Sequence, residues 1–189
     1  AAAGLSLGEY GALAAARAIG DRDLFALIAK RGLYMQEAVP VGGAMTAVLG
    51  LDGAAVEAVC QDIEGRVSVA NYNCPGQIVI TGEQAAVDAA ARRLKEAGAK
   101  RCVPLQVSGP FHSPMLSGAG EKLQEALTGV EVFDPIIPYV ANVTADYVTK
   151  KEEIKPLLAR QVSASVKWQQ TMERLIADGV TTFVEIGPG

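Results

Sequence analysis

The chain has 189 residues, with 17 basic and 21 acidic side chains, a formal net charge of −4 and an apolar fraction of 50%. This length accommodates one domain, or one domain with a small insert, and the composition is that of a globular protein rather than a disordered one. The chain has no basic run and no uninterrupted apolar stretch of about 18 residues, which argues against binding to nucleic acid and against a membrane-spanning segment.

The cysteine and histidine content narrows the possible chemistry. Cys60, Cys74 and Cys102 are odd in number and form no Cys-x-x-Cys pair, so a disulfide framework and a zinc site are both disfavoured. We therefore expect no bound metal and a reducing, cytoplasmic compartment. The chain contains a single histidine, His112, so any reaction that needs an imidazole must use it.

The sequence at both ends predicts that the chain is an internal piece of a longer protein. The chain begins Ala1-Ala2-Ala3-Gly4 without a methionine, and it stops at Gly187-Pro188-Gly189, directly after a strand-like run at 181–186. Domains rarely begin just before a tight turn or end on the turn that follows a buried strand.

The first predicted elements are two helices, one at 8–19 and one from Asp21 to about Ala38. Asp21 is the expected N-cap of the second helix, because a short polar side chain after glycine suits that position. Pro40 and the pair Gly42-Gly43 then mark a boundary.

Residues 43–107 predict a small unit with its own order of elements. This order is strand, helix, strand, strand, helix, strand, which is the split βαβ, ferredoxin-like pattern. The two middle strands flank the turn Asn73-Cys74-Pro75-Gly76, and Gly98 is the expected C-cap of the second helix. The predicted elements lie at 44–51, 53–63, 67–72, 77–81, 83–97 and 101–107.

The remaining residues, 108–189, return to a mixed α/β pattern. Together with residues 1–42 they are assigned to a larger α/β unit, into which residues 43–107 are inserted. The predicted helices of this part lie at 118–128, 150–162 and 168–178, and the predicted strands at 137–143 and 181–186.

A Gly-x-Ser-x-Gly motif stands at Gly4-Leu5-Ser6-Leu7-Gly8, directly before a helix-forming run. In a sharp strand-to-helix turn this motif exposes the serine hydroxyl at a helix N-terminus, and the next backbone N–H can donate to a developing oxyanion. The same five residues also fit a glycine-rich helix start with a capping serine, so the motif alone leaves both interpretations open.

His112 is the candidate general base. A lone loop histidine is usually a surface residue, but Gly109-Pro110 and Pro114 stiffen its flanks, as the positioning of a base requires. A serine nucleophile needs such a base, and the chain offers no other histidine. Ser6 and His112 therefore support each other as a pair.

Arg31 is predicted to lie within the apolar stripe of the second helix, between Leu27 and Met35. The guanidinium could reach round to water or to a structural carboxylate such as Glu9 or Glu37. Alternatively, it faces a cleft and binds an anionic ligand. The helical spacing leaves both possibilities open.

No acidic residue is placed to complete a catalytic triad. Hydrolases with this type of nucleophile turn usually run serine, then acid, then a histidine late in the chain. Here His112 comes well before the end of the chain, which counts against an ordinary esterase.

Five motifs occur in order along the whole chain: Gly4-Leu5-Ser6-Leu7-Gly8-Glu9-Tyr10; Lys30-Arg31-Gly32 followed by Met35-Gln36; Asn71-Tyr72-Asn73-Cys74-Pro75-Gly76-Gln77; Gly109-Pro110-Phe111-His112-Ser113; and Glu185-Ile186-Gly187-Pro188-Gly189. Together they resemble the malonyl-CoA:acyl-carrier-protein transacylase family of bacterial type II fatty acid synthesis, which is similar to the acyltransferase domains of polyketide synthases. The resemblance implies an α/β-hydrolase-like core with a ferredoxin-like insert.

The resemblance implies catalytic roles for four residues. Ser6 would be the acylated nucleophile and His112 the base that activates it. The Leu7 backbone N–H would be an oxyanion donor, and the Gln161 backbone carbonyl would orient the histidine. The missing acid would then be explained by a Ser-His dyad.

The resemblance also implies a substrate pocket. Arg31 would pair with the free carboxylate of the malonyl group, Met35 and Phe111 would line the acyl pocket, and Asn73 would lie in a loop near the site. No permanently bound cofactor is implied, because the coenzyme A thioester is a substrate.

Two departures from the family pattern matter. The family usually has histidine before the nucleophile, where this chain has Leu5, but that histidine is not the base. The family's N-terminal Gly-Gln-Gly-Ser-Gln segment, which supplies a second oxyanion donor, is absent from this chain. Loss of one such donor typically costs about 10²–10³ in rate, so the sequence leaves open whether the chain as given is active.

The implied function is ping-pong transfer of a malonyl group from malonyl-CoA to the phosphopantetheine thiol of acyl carrier protein, for fatty acid biosynthesis. Three alternatives remain: a serine hydrolase or thioesterase on a similar core, a polyketide-synthase-type acyltransferase domain, and a non-catalytic docking module.

Overall fold

Helices and short strands alternate along the chain in the computed structural model, which describes residues 1–39 and 41–187. The predicted boundary residue Pro40 and the motif residues Pro188 and Gly189 lie outside the described residues. None of the helices described is long and apolar enough to cross a membrane. The strands are β1 (Ala2–Ala3), β2 (Gly43–Leu49), β3 (Val67–Cys74), β4 (Gln77–Glu83), β5 (Arg101–Pro104), β6 (Tyr139–Val140) and β7 (Tyr147–Val148). The helices are α1 (Gly8–Ala15), α2 (Asp21–Ala38), α3 (Gly53–Gln61), α4 (Gln84–Glu96), α5 (Ser117–Thr128), α6 (Lys151–Gln161) and α7 (Trp168–Ala177), with a 3₁₀ turn at Pro114–Leu116.

Four strands form an antiparallel sheet in the order β3-β4-β2-β5. Helix α3 connects β2 to β3, and α4 connects β4 to β5, so the order of elements agrees with that predicted for residues 43–107. The hairpin between β3 and β4 closes at Pro75-Gly76, where Cys74 pairs with Gln77 and Gly76 has a φ of 76°. Glycine suits this position because it adopts positive φ without a steric penalty.

The two faces of this sheet have different partners. Ile78 and Ile80 of β4 are buried against α3 and α4, in the cluster that also contains Val48. Val79, between the two isoleucines, points the other way and packs with Met45. This period-two alternation is what a strand buried on both sides requires. The sheet therefore presents an apolar face to the rest of the chain as well as to its own helices.

The second core is built by helices around a small sheet. Strand β1 pairs in parallel with β6, which pairs antiparallel with β7. The main helix contacts of this part join α2 to α5 and α5 to α6. The largest fully buried side chains of this cluster are Tyr10, Leu13, Leu27, Leu116, Leu123, Leu127, Tyr139, Ile154 and Leu158.

The final predicted strand, at 181–186, is absent from the structure. These residues pair with no described strand, and the side chains of Phe183, Val184 and Ile186 are exposed. The prediction was wrong because an apolar, β-branched run forms a strand only where a neighbouring strand accepts its backbone hydrogen bonds.

Further predictions needed correction at element ends: the first helix ends at Ala15 rather than at residue 19, and the strand predicted at 137–143 is limited to Tyr139–Val140. Helix α2 has Gly20 as its N-cap, and no side chain caps it; Asp21 is the first helical residue instead. Its carboxylate therefore interacts with the helix dipole rather than with the backbone N–H groups. Strand β5 ends at Pro104 rather than at residue 107, because the proline ring removes a ladder donor.

Helices α5 and α6 approach closely at Gly120, and this contact provides a test of the packing. A Cβ at Gly120 would lie 2.8 Å from the backbone oxygen of Ala159, whereas a Cβ at Gly118 of the same helix would meet nothing within 4 Å. We predict that Gly120→Ala lowers the free energy of unfolding by about 1–3 kcal/mol, because the helices must separate. Gly118→Ala, the matched control, should raise it by up to about 1 kcal/mol through helix propensity. Urea denaturation of both variants measures the difference, and equal effects would contradict the close contact.

Candidate active site

Ser6 lies in the turn between β1 and α1, in a backbone conformation that is unusual for a residue with a side chain. Its φ is 51°, in the left-handed region. The side chain of Asn142 holds this turn from both sides: Oδ1 accepts a hydrogen bond from the Ser6 N–H at 2.6 Å, and Nδ2 donates to the Gly4 carbonyl at 2.8 Å. Asn142 was not expected from the sequence, because it comes shortly after β6 and belongs to no recognisable motif.

The two glycines of the Gly-x-Ser-x-Gly motif have different steric surroundings. A Cβ at Gly4 would lie 2.0 Å from the carbonyl oxygen of Gly8, so the chain passes too close to the start of α1 for any side chain there. A Cβ at Gly8 would meet nothing within 4 Å. The sequence motif is therefore required sterically at its first glycine and not at its second.

Ser6 and His112 are in direct contact, as the sequence predicted. Ser6 Oγ and His112 Nε2 lie 2.7 Å apart, and His112 Nδ1 lies 3.0 Å from the backbone oxygen of Gln161. A carbonyl oxygen can only accept, so Nδ1 carries the proton and Nε2 accepts from the serine hydroxyl. His112 also has a positive φ, 58°, and it is buried.

The environment of His112 keeps its ring neutral. Burial is the main cause that lowers the pKa of His112 to about 4, the hydrogen bond to the Gln161 carbonyl opposes this shift, and the charge of Arg31 adds to it. A neutral imidazole at physiological pH is the form that can accept a proton from serine.

Arg31 reaches the same serine from α2. Its Nη2 donates to Ser6 Oγ at 3.1 Å and to Gln161 Oε1 at 3.2 Å, while its Nε has no partner among the described residues. The helical spacing left open whether the guanidinium extends to bulk water or a structural carboxylate, or instead faces a cleft. It does not extend to bulk water, because Arg31 is buried. Glu37, one proposed carboxylate partner, is paired with Lys122 instead.

The buried cation therefore lacks a carboxylate within ion-pair distance in the described part of the chain. Burial lowers the pKa of Arg31, and the nearby Tyr10 and Glu9 oppose that shift. A desolvated guanidinium with an unused N–H favours an anionic ligand that presents oxygen atoms in a plane.

Gln161 links the nucleophile, the base and the arginine through its side chain as well as its carbonyl. Its Nε2 donates to the Ser6 carbonyl at 2.9 Å and to Glu9 Oε2 at 2.7 Å, while Oε1 accepts from Arg31. From the sequence, only the backbone carbonyl was expected to take part. Glu9 was named there within the serine motif and as an alternative partner of Arg31, and no role in the site was assigned to it.

A cleft of about 1010 Å³ opens in front of Ser6, His112 and Arg31. The three predicted pocket residues, Met35, Phe111 and Asn73, all line this cleft. Asn71, Met45 and Val79 of the four-stranded sheet also line it and were not expected from the sequence. The alternation along β2 and β4 could have indicated the last two, because it leaves them on the face opposite the helices.

The Leu7 backbone N–H stands at the edge of the turn. Leu7 is the N-cap of α1, and its N–H has no hydrogen-bond partner among the residues that the structure describes. It is therefore available to an incoming oxygen next to Ser6. No group of three or more described His, Cys, Asp or Glu side chains is arranged to hold a metal ion.

Comparison with known proteins shows the family of this chain. The acyl transferase domain family matches residues 1–189, and the chain belongs to that family. Among curated proteins, the malonyl CoA-acyl carrier protein transacylase of Bacillus subtilis is 49% identical over 191 residues, which cover 99% of this chain and 60% of the relative.

Solved structures give the same result. An acyl carrier protein S-malonyltransferase from Vibrio cholerae superposes with a TM-score of 0.97 at 43% identity, covering 99% of this chain and 62% of that one. A malonyl-transacylase in complex with a type II PKS acyl-carrier protein superposes with a TM-score of 0.96 at 43% identity, with the same coverage. The chain thus spans about 60% of the length of the relatives it matches.

The steric difference between the two glycines of the turn predicts a difference between two variants. Gly4→Ala should lower the free energy of unfolding by at least about 1–3 kcal/mol and should abolish labelling of Ser6 by a fluorophosphonate, because the added Cβ overlaps backbone. Gly8→Ala should keep both properties. Denaturation curves and intact-protein mass spectrometry measure the two effects, and a tolerated Gly4→Ala would contradict this close approach.

The low pKa of His112 predicts an unusual pH dependence. Because His112 can accept a proton from Ser6 only when neutral, and its pKa is about 4, the rate of Ser6 labelling by an uncharged fluorophosphonate should stay nearly constant from pH 8 to pH 5. It should fall only as the pH approaches 4. Near-UV circular dichroism at each pH controls for unfolding. A fall in rate centred near the ordinary histidine value of about 6.5 would contradict the assigned environment.

Proposed function

We propose that this protein transfers a malonyl group from malonyl-CoA to the phosphopantetheine thiol of acyl carrier protein, through a covalent malonyl-serine at Ser6. The observation that carries the proposal is that one serine hydroxyl contacts both a neutral histidine at 2.7 Å and a buried arginine at 3.1 Å. The first contact suits a nucleophile, and the second places a cation where the far end of a short acyl group would lie.

In the first half-reaction, Ser6 Oγ attacks the thioester carbonyl carbon while its proton passes to His112 Nε2. The tetrahedral oxyanion accepts a hydrogen bond from the Leu7 backbone N–H, and the N-terminus of α1 favours the negative charge. When the carbon–sulfur bond breaks, coenzyme A leaves as a thiol that takes the proton from His112. The product is an ester between the malonyl group and Ser6.

In the second half-reaction, the carrier thiol gives its proton to His112 and its sulfur attacks the ester carbonyl. The carbon–oxygen bond breaks, and Ser6 Oγ takes the proton back. In both half-reactions the Gln161 carbonyl accepts a hydrogen bond from Nδ1–H of His112. This bond keeps His112 in the required tautomer and stabilises the imidazolium. A carbonyl thus replaces the acid of a triad.

Arg31 supplies acyl selection. Its Nη2 is already directed at Ser6 Oγ, so the guanidinium stands where its N–H groups can pair with the malonyl carboxylate. A charged acyl group held at both ends is fixed in one pose, which favours transfer to a positioned thiol over loss to water. Met35 and Phe111 would enclose the methylene between the two ends, and Asn73 would contact the substrate from the sheet side.

We further propose an α/β-hydrolase-like core at 1–42 and 108–189 and a ferredoxin-like subdomain at 43–107. The strand order β3-β4-β2-β5, with two helices on one face, supports the second assignment. The serine turn between β1 and α1, beside a parallel strand pair, supports the first. The free cysteines Cys60, Cys74 and Cys102 fit the cytoplasm, where both thioester substrates occur. No resident cofactor is needed for this chemistry.

Incubation of the intact protein with malonyl-CoA, followed by mass spectrometry, tests the proposed function. A malonyl adduct on Ser6 that persists until holo acyl carrier protein is added fits only a transferase. An adduct lost to water would indicate a hydrolase or thioesterase, and no labelling would indicate a docking module. Ser6→Ala should abolish the adduct, and His112→Ala should slow its formation by several orders of magnitude.

The buried position of Arg31 predicts a loss that depends on the acyl group. Arg31→Ala should depress malonyl transfer far more than acetyl transfer, because only the malonyl group presents a carboxylate to the guanidinium. Lys30→Ala, which removes the exposed neighbouring cation, should change neither rate. Transfer rates with the two coenzyme A thioesters measure the effect. Equal losses for both acyl groups would show that Arg31 has only a structural role.

The ring of Phe111 predicts discrimination at the malonyl α-carbon. Phe111 lines the cleft next to His112 and packs against the apolar face of the sheet, so an added methyl group meets a filled space. One added methyl is typically worth about 1–3 kcal/mol, so malonyl-CoA should be preferred over methylmalonyl-CoA by roughly ten- to two-hundred-fold. Phe111→Ser should relax this preference, whereas Phe25→Ser, at an exposed ring, should not. Competition between the two thioesters measures this preference. Equal use of both by the unmodified protein would contradict the prediction.

A further inference from the structure

The carboxyl group of Glu9 is fully buried directly behind the site, and the proposed reaction gives it no role. Its Oε2 accepts hydrogen bonds from Gln161 Nε2 at 2.7 Å and from the Asn142 N–H at 3.2 Å. Its Oε1 has no partner among the described residues. A buried carboxylate with only half of its oxygen lone pairs satisfied needs a nearby positive charge, or else a proton.

The nearby positive charge is that of Arg31, and the two groups are joined by one side chain. The amide of Gln161 directs its oxygen at Arg31 and its nitrogen at Glu9. This orientation of the amide dipole stabilises a cation on one side and an anion on the other. Glu9 and Arg31 therefore form a charge pair separated by a single amide.

The other groups around Glu9 carry no charge that could replace Arg31. Tyr10 of α1 and Tyr139 of β6 have buried hydroxyl groups without partners, and burial raises the pKa of both, so both are neutral at physiological pH. The charge of Glu153 of α6 also raises the pKa of Tyr139. His112, on the other side of Gln161, is neutral for the reasons given above.

We propose that Glu9 is the counter-charge of Arg31 in the empty site. When an acyl group with a free carboxylate is bound to Ser6, that carboxylate becomes the counter-charge of Arg31 instead, and Glu9 binds a proton. This inference rests on the proposed function. In the empty site one cation faces one anion, and a malonyl group adds a second anion beside these two buried groups. Uptake of one proton by Glu9 restores neutrality, whereas an acetyl group leaves the charge balance unchanged.

The protonation balance of Glu9 in the empty site supports this exchange. Burial raises the pKa of Glu9 to about 7, against the lowering effects of its hydrogen bonds to Gln161 and Asn142 and of the Arg31 charge. A second carboxylate on Arg31 cancels the last of these effects, so the pKa of Glu9 must rise further on loading. A group poised near neutral pH responds to such a change by taking up a proton.

The sign of the pH dependence follows from linkage. Loading with malonyl raises the pKa of Glu9 from about 7 to a higher value, called here the loaded pKa. Loading therefore becomes more favourable as the pH falls from the loaded pKa to 7, and it is independent of pH below 7. If the loaded pKa is two or more units higher, the malonyl loading constant falls by about tenfold between pH 6 and pH 8. The acetyl loading constant has no such dependence. Effects of His112 and of the coenzyme A thiol are common to both acyl groups and cancel in the ratio.

The experiment measures the equilibrium fractions of malonyl-Ser6 and acetyl-Ser6 in the intact protein at fixed ratios of thioester to free coenzyme A, from pH 6 to pH 8.5. We expect the malonyl-to-acetyl ratio to fall about tenfold between pH 6 and pH 8. A pH-indicator dye in weak buffer should also record, at pH 7.5, uptake of a fraction of a proton more per malonyl group loaded than per acetyl group loaded.

Glu9→Gln keeps an acceptor for Gln161 and Asn142 but cannot ionise, so it should abolish both the pH dependence of the ratio and the extra proton uptake. Glu64→Gln, at an exposed carboxylate, should retain both. A constant ratio without extra proton uptake in the unmodified protein would overturn the inference, and so would a pH dependence that survives Glu9→Gln. The measurements on the unmodified protein suffice if that variant fails to fold. Absence of any acyl-Ser6 would instead overturn the proposed function.

Discussion

The hydrogen bonds of one buried residue, Gln161, hold the candidate active site together. Its carbonyl accepts from His112, its amide nitrogen donates to Ser6 and Glu9, and its amide oxygen accepts from Arg31. These partners lie on three different parts of the chain. Both the oxygen and the nitrogen of the amide are used, so rotation of the side chain would break several hydrogen bonds at once. The network therefore specifies one arrangement of nucleophile, base and cation.

This arrangement requires local strain, which the same surroundings support. Ser6 and His112 both have positive φ values, of 51° and 58°, and such conformations cost about 1–3 kcal/mol each in residues with side chains. Asn142 fixes the first residue through its backbone N–H, and the Gln161 carbonyl fixes the ring of the second. The strain directs both reactive groups at the same point in the cleft.

The second constraint is the placement of charge in an apolar cleft. Met45 and Val79 bring the apolar face of the four-stranded sheet to one side of the cleft. Arg31 lines the cleft beside Ser6, and Glu9 lies behind it. A guanidinium in such a place is costly unless a carboxylate is near. The proposed acyl selection and the proposed proton uptake therefore depend on the same buried cation.

The local features of this protein could be read from its sequence. Turn chemistry and hydrophobic period located most helices, the strands of the small unit, and the Ser6 turn, because they depend on neighbouring residues. His112 could be named because the chain has no other imidazole, and the resemblance of whole motifs implied Gln161. Contacts between distant segments could not be derived in this way. Only the tertiary structure brought Asn142 to the Ser6 turn and the Gln161 side chain between Arg31 and Glu9, and it left residues 181–186 without a strand partner. Hydrogen bonds between segments more than a hundred residues apart leave no periodic pattern, so packing alone decides which polar groups meet.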